Sequence, residues 1–183
     1  MDWSDRLHAA AHRFAEEGRT EDARPLTPGE SLRVAAAFGD ELPVHALRFV
    51  PGPGRSAFAA MAFAKGNPAI TVGRTVYIRP DRYRADLAAT AEDIELLVHE
   101  CTHVVQYGRH GFVKFFARYG IDLCRCGFSP RRLYEFAKRD TVFRTETLEG
   151  QAQMAGVLAW ARETGADRRD LERRMAGSRI FGL

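Results

Sequence analysis

Apolar residues recur at helical spacing in two stretches near the beginning of the chain. Residues 28–38 follow a capping-box pattern. The Thr27 side chain can accept a hydrogen bond from the backbone of the first turn, and the Glu30 side chain can accept one from the Thr27 backbone. Gly39 follows as a helix stop. In the earlier stretch, residues 4–17, one face carries Leu7, Ala10, Ala11 and Phe14. The pattern predicts one helix over each stretch.

The pattern changes in the middle third of the chain, where four short runs are rich in β-branched and aromatic residues. Segments rich in glycine and proline separate these runs, which cover residues 44–50, 57–64, 69–72 and 75–79. Gly73 and Arg74 fit a two-residue hairpin turn between the last two runs. We therefore predict a small antiparallel sheet, and we expect residues 75–79 to form an edge to which a peptide could add as a strand.

Helical patterns return after residue 89. A capping pattern at residues 90–93 opens a helix that contains the stretch LLVHECTHVVQ at residues 96–106. The later predicted elements are a short aromatic helix (FVKFFARY), a loop with Cys124 and Cys126, and helices beginning at Ser129 and near Thr145 or Thr147. No internal repeat or linker interrupts this order. We predict one α+β domain over residues 1–183, with the sheet beside the LLVHECTHVVQ helix and further helices on both sides.

Composition excludes several classes of protein. With 183 residues, 45% of them hydrophobic, the chain can form a compact core, yet it has no apolar run of about eighteen residues that would span a membrane. The 27 basic and 24 acidic residues are interleaved, so we expect no nucleic-acid partner. Three cysteines do not suit a disulfide framework. The first residues lack a signal peptide, which predicts a cytoplasmic protein and leaves export as an effector open.

The stretch LLVHECTHVVQ places two histidines on one side of its helix. His99 and His103 are four residues apart, so their Cβ atoms are expected about 6 Å from each other. Glu100 is offset from this pair by one residue. The opposite side carries an apolar stripe of Ile94, Leu97, Val98, Cys101 and Val105. Such HExxH strings also arise by chance, so the pattern by itself leaves a purely structural pair of histidines open.

The HExxH pattern is typical of zinc peptidases. Two neutral imidazoles hold Zn²⁺, a third protein ligand completes the set, and water in the open position reaches a pKa of about 7. A carboxylate placed like that of Glu100 would take the proton of the attacking water and return it to the leaving amine. The pattern therefore assigns His99 and His103 as metal ligands and Glu100 as the catalytic base.

Several separated motifs resemble a bacterial family of zinc metallopeptidases, the core peptidase-like domain linked to extracellular contractile injection systems. The matching stretches are RPLTPGE at residues 24–30, Phe38-Gly39, AITVGRTVYI at 69–78, LLVHECTHVVQ at 96–106 and LEGQA at 148–152. The resemblance covers roughly residues 24–155 and implies a zincin-like fold. It also implies an association with an injection or secretion apparatus. One departure is Gln151, which stands where the family usually has an acidic residue.

Two residues compete as the third zinc ligand. Metzincins take a histidine six residues after the second histidine of the motif, but Arg109 stands there and His110 is one residue late. Gluzincins take a glutamate from a later helix. Glu149 lies in a segment of small residues that would let two helices approach closely, and Glu146 is a neighbouring competitor. Glu149 is favoured, with His110 second.

Other residues have less specific signals. Tyr107, Tyr134 and Arg144 are candidates for stabilising an oxyanion, and Cys124 and Cys126 fit incidental thiols. Four aromatic residues form a core cluster or line a substrate cleft: Phe112, Phe115, Phe116 and Tyr119.

The sequence therefore predicts a zinc-dependent metallopeptidase that acts on a peptide or protein substrate. The alternatives are a pseudo-peptidase that retains zinc, a protein-binding accessory module, and a toxin-like effector protease.

Overall fold

The computed structural model describes residues 6, 9–10, 13–14 and 16–183, so half of the helix predicted over residues 4–17 lies outside the described residues. The helices are α1 (Pro28–Phe38), α2 (Ala57–Ala64), α3 (Ala91–Arg125), α4 (Pro130–Tyr134), α5 (Leu148–Thr164) and α6 (Arg169–Met175). The strands are β1 (Arg48–Pro51), β2 (Ala69–Val72) and β3 (Thr75–Ile78). None of the described helices has the length and apolar character that crossing a membrane requires.

The predicted capping box at the start of α1 is confirmed, and it has a second role. Thr27 accepts from the Glu30 backbone, and the Glu30 carboxylate accepts from the Thr27 backbone. The same fully buried carboxylate pairs with the Arg24 guanidinium at 2.7 Å and accepts from the Leu87 backbone N–H at 2.8 Å. Because a buried carboxylate needs such partners, this pair explains why the RPLTPGE stretch holds Arg24 and Glu30 six residues apart.

The sheet is mixed rather than antiparallel. The predicted hairpin of β2 and β3 is confirmed, with Gly73 at a φ of 61° in its turn. The prediction of a fully antiparallel sheet was wrong, because β1 pairs with β3 in parallel and the strand order is β1-β3-β2. Strand β3 is therefore central. The edge nearest the candidate site is β2 and not residues 75–79.

Residues 57–64 form helix α2 instead of the predicted strand. Ser56 caps this helix by accepting a hydrogen bond from the Ala59 backbone. Five of its eight residues are alanine, the strongest helix former, and this preference outweighs its aromatic content. As a helix, the segment also supplies the crossover that a parallel β1–β3 pairing needs.

Helix α3 begins at the predicted cap, Thr90, and changes direction at Gly111. Gly111 has φ 70° and ψ 165°, a conformation that favours glycine, so the aromatic segment after it forms a separate arm, residues 112–125. Cys124 lies within this arm rather than in a loop. The predicted apolar stripe before the kink is confirmed as buried core, including Cys101, whose thiol pKa is raised by burial.

Helix α5 begins after its N-cap Thr147, as predicted, and packs along the first half of α3. The two backbones approach closely at Gly156. A Cβ atom there would lie 2.8 Å from the Glu95 carbonyl oxygen and 3.4 Å from His99 Cβ. The small residues of α5 therefore bring its first turn beside the two histidines.

Candidate metal centre

Three buried side chains from α3 and α5 converge on one point. Glu149 Oε2 lies 3.6 Å from His99 Nε2 and 3.2 Å from His103 Nε2. Their potential ligand atoms all lie within 4.8 Å of one another. The structure thus brings together the histidines of the motif and Glu149, the favoured third candidate.

The electrostatics of this cluster suit a cation. Burial favours the neutral form of Glu149, yet the charges of His103 and then His99 hold its pKa well below the usual range. Burial likewise opposes protonation of His103, but the carboxylate of Glu149 raises the pKa of that imidazole to about 9. Among the described residues, Glu149 Oε2 is a buried oxygen without a hydrogen-bond partner. Two imidazoles and one carboxylate form a donor set of catalytic zinc sites, so these residues fit Zn²⁺.

A chain of buried amides orients His103. Its Nδ1 lies 2.8 Å from Gln106 Oε1, while Gln106 Nε2 donates to Leu148 O and to Gln151 Oε1, both at 3.0 Å. Gln151 Nε2 donates in turn to Phe143 O at 2.8 Å. Since the amide presents its oxygen to the imidazole, the neutral form of His103 keeps its proton on Nδ1, and the Nε2 lone pair is then available to a metal ion. Gln151, the departure from the family pattern, is part of this support.

Glu100 is buried beside the cluster and is held by the edge strand. The Thr71 hydroxyl on β2 donates to Glu100 Oε2 at 2.7 Å. The carboxylate charge of Glu100 contributes to raising the pKa values of His103 and Tyr134, which places it in the same electrostatic environment. Thr71 was missed from the sequence, although a polar residue in the run AITV was an available signal.

The cluster forms the floor of a cleft of about 480 Å³. Aromatic and aliphatic side chains make up most of its walls, which confirms the cleft alternative for part of the aromatic cluster. Phe115, Phe116 and Tyr119 line the cleft together with residues from α2, β2 and α4. Phe115 also belongs to a buried cluster with Tyr107, so the same residues serve as core.

The structure separates the three candidates for stabilising an oxyanion. The Tyr134 ring stacks on His99, with centroids 6.0 Å apart and an angle of 15° between the rings. Burial and then the charge of Glu149 raise the pKa of Tyr134, so its hydroxyl keeps its proton at neutral pH. Tyr107 is buried and stacks on Phe115 at 4.0 Å. Arg144 is exposed and lies outside the residues that line the cleft.

The competing ligand candidates lie in other environments. His110 is absent from the group of potential ligands among the described residues, and burial followed by Arg118 lowers its pKa. Glu146 is buried, but Arg139, at 2.7 Å, and the Thr147 backbone engage its carboxylate. Both residues therefore have surroundings that do not suit a role as the third ligand.

Comparison with known proteins agrees with part of the sequence prediction. Residues 25–111 match a family described as the eCIS core domain, which confirms over that range the predicted resemblance to the core domain of these injection systems. The fold is similar to the effector domain of Pseudomonas aeruginosa VgrG2b, with a TM-score of 0.58, 17% identity and 95% of each chain covered. At that identity the similarity concerns the fold alone. A search of curated proteins found no match. The family match links residues 25–111 to extracellular contractile injection systems.

Proposed function

We propose that this protein is a zinc-dependent metallopeptidase of the zincin type, with His99, His103 and Glu149 as metal ligands. One observation carries the proposal: a buried carboxylate oxygen without a hydrogen-bond partner among the described residues faces two imidazole nitrogens. A cluster built only for stability would leave no such atom, because an unsatisfied buried polar group is unfavourable. The second carboxylate, Glu100, stands beside the ligands and makes no ion pair among the described residues.

Zinc in a site with three protein ligands polarises a carbonyl and lowers the pKa of water to about 7. Glu100 is suited to take a proton from the attacking water and to deliver it to the leaving amine, and Thr71 fixes the carboxylate that does so. Tyr134 can donate a hydrogen bond to the developing oxyanion because its hydroxyl stays protonated. Strand β2 is at an edge of the sheet among the described residues and lines the cleft, so its backbone groups are suited to pair with an extended peptide.

Metal content tests the ligand assignment. Purified protein is expected to hold about one zinc ion per chain by elemental analysis. His103→Ala and Glu149→Ala should each lose it, because each removes a donor from a set of three. His110→Ala is the matched control and should retain it. Equal zinc content in all four proteins would contradict the assignment.

Peptide cleavage tests the catalytic role of Glu100. Glu100→Gln preserves the shape of the side chain and removes its basicity, so we expect zinc to be retained and cleavage to fall by about a hundredfold or more. Mass spectrometry of new peptide ends in a proteome digest measures the change. Undiminished cleavage by Glu100→Gln would exclude this mechanism, and zinc binding without cleavage by the wild type would favour a pseudo-peptidase.

A second proposal concerns the place of action. The eCIS core match and the similarity to a VgrG effector domain support a role as an effector carried by a contractile injection apparatus. Mass spectrometry of purified injection particles, from cells that express the tagged chain, should detect it in the particle fraction. Its exclusion from the particles would contradict this role without affecting the enzymatic proposal.

A further inference from the structure

We infer that the cleft selects peptides with a large apolar side chain next to the scissile bond. The inference rests on the proposed function for the class of ligand, a peptide. The structure supplies the rest, because the walls of the cleft, its charge and its neighbouring strand each restrict what can bind there.

A continuous aromatic wall leads away from the candidate metal ligands. The His103 ring contacts Phe115 at a centroid distance of 6.1 Å, Phe115 contacts Phe116 at 5.5 Å, and Phe116 contacts Phe58 of α2 at 6.2 Å. The arm that carries Phe115 and Phe116 follows the kink at Gly111 and contacts α2 through Phe116 and Phe58. A residue whose carbonyl lies at the metal centre therefore has aromatic rings directly beside its own side chain.

The outer part of this wall remains accessible to a ligand. Phe58, Phe116 and Tyr119 are only partly buried, and Met61 is 49% exposed. Apolar surface that borders a cleft becomes favourable when a ligand removes it from water. Lys65 is the single lysine or arginine among the described residues that line the cleft. A ligand's acidic or basic side chain would thus lose water on this wall and gain little in exchange.

The neighbouring strand explains why an extended peptide is the occupant. Strand β2 is an edge strand among the described residues, bonded to β3 on one side, and its residues Ala69, Ile70 and Thr71 line the cleft. A peptide that pairs with this edge points alternate side chains to opposite sides. One set of side chains faces the aromatic wall, so the wall contacts every second residue of the peptide.

Binding to a short peptide series tests the inference separately from catalysis. The full chain carrying Glu100→Gln is titrated with acetyl-Ala-Ala-X-Ala-Ala-amide, in which X is Phe, Leu, Ala, Asp or Lys. Affinities are measured by calorimetry with and without one equivalent of zinc. The wall consists of protein side chains, so its preference should be the same in both conditions. We expect the Phe and Leu peptides to bind at least about tenfold more tightly than the other three.

A pair of exposed residues supplies the matched variants. Met61→Lys should lower the affinity for the Phe peptide by about tenfold and favour the Asp peptide, because it places a cation on the wall. Val113→Lys changes a residue of similar exposure, 46%, that does not line the cleft, and it should leave the ranking unchanged. Equal effects of the two variants would contradict the inference.

The other possible outcomes distinguish the apolar subsite from the proposed peptidase activity. Equal affinity for all five peptides, preference for Asp or Lys, or no binding would overturn the apolar subsite. Preferred binding of Phe and Leu without cleavage by the zinc-loaded wild type would support the subsite and count against the peptidase. Cleavage by the wild type at sites without a neighbouring apolar residue would support the peptidase and count against the apolar subsite.

Discussion

At the scale of single residues, Gln106 connects the two helices that hold the candidate metal ligands. It accepts from His103 and donates to the backbone of Leu148, the residue before Glu149. Outer partners of this kind fix the orientation and tautomer of a metal-binding histidine. A glutamine suits the position because its amide accepts at one atom and donates at the other.

Replacing Gln106 with leucine should weaken zinc binding by about 10- to 100-fold. The variant removes the acceptor that holds the His103 proton on Nδ1. The population of the other tautomer should therefore rise in nitrogen NMR spectra of the metal-free protein recorded above the His103 pKa of about 9, where the imidazole is neutral. Gln153→Leu is the control, since Gln153 lies on α5 and donates to Glu95 on α3 at 2.8 Å, and neither residue lines the cleft. An unchanged tautomer and unchanged zinc affinity would show that Gln106 only fills space.

The sequence predicted the candidate site residues that are close together along the chain or carry a recognisable context. His99, Glu100 and His103 follow from the HExxH motif and its helical spacing. Glu149 follows from the gluzincin pattern and the small residues around it. The polar residue Thr71 stands out in the run AITV, but its contact with Glu100 could not be predicted. That contact joins residues 29 positions apart and depends on how β2 lies against α3. The spacing of residues along the sequence does not show how close β2 and α3 lie in space.

At the scale of elements, the close approach of α5 to α3 depends on Gly156. We expect Gly156→Ala to lower the free energy of unfolding by about 1–3 kcal/mol and to weaken zinc binding, because its Cβ would push against the Glu95 backbone and His99. Chemical denaturation and zinc titration measure the two effects. Gly120→Ala, on the arm of α3 with nothing within 4 Å of its Cβ, should instead stabilise by about 0.5–1 kcal/mol. Similar effects of both changes would remove the packing argument.

Local signals predicted the helices better than the sheet. The caps at Thr27, Thr90 and Thr147 are satisfied within a few residues, so the sequence contains the whole interaction. The parallel pairing of β1 with β3 joins residues far apart along the chain, and no local pattern distinguishes it from an antiparallel one. The strand prediction for residues 57–64 failed because aromatic residues were given more weight than alanine and the Ser56 cap.

At the scale of the whole molecule, the candidate centre exists only when the chain is folded. Its residues come from β2, α3, α4 and α5, and few of them are neighbours in sequence. A ligand that binds the folded chain and not the unfolded chain stabilises it by mass action. Zinc binding and folding should therefore be coupled.

Zinc at about 100 times its dissociation constant should stabilise the fold by about 2.7 kcal/mol. For a chain of this size that corresponds to a rise in Tm of about 5–10 °C, measured by calorimetry against chelator-treated protein. Glu100→Gln should show the same rise, because Glu100 is not an assigned ligand, whereas His103→Ala should show none. Zinc must displace a proton from His103, whose pKa in the metal-free protein is raised to about 9, so the rise should shrink as the pH falls. An equal rise in His103→Ala would mean that zinc binds elsewhere, and the assigned centre would then be wrong.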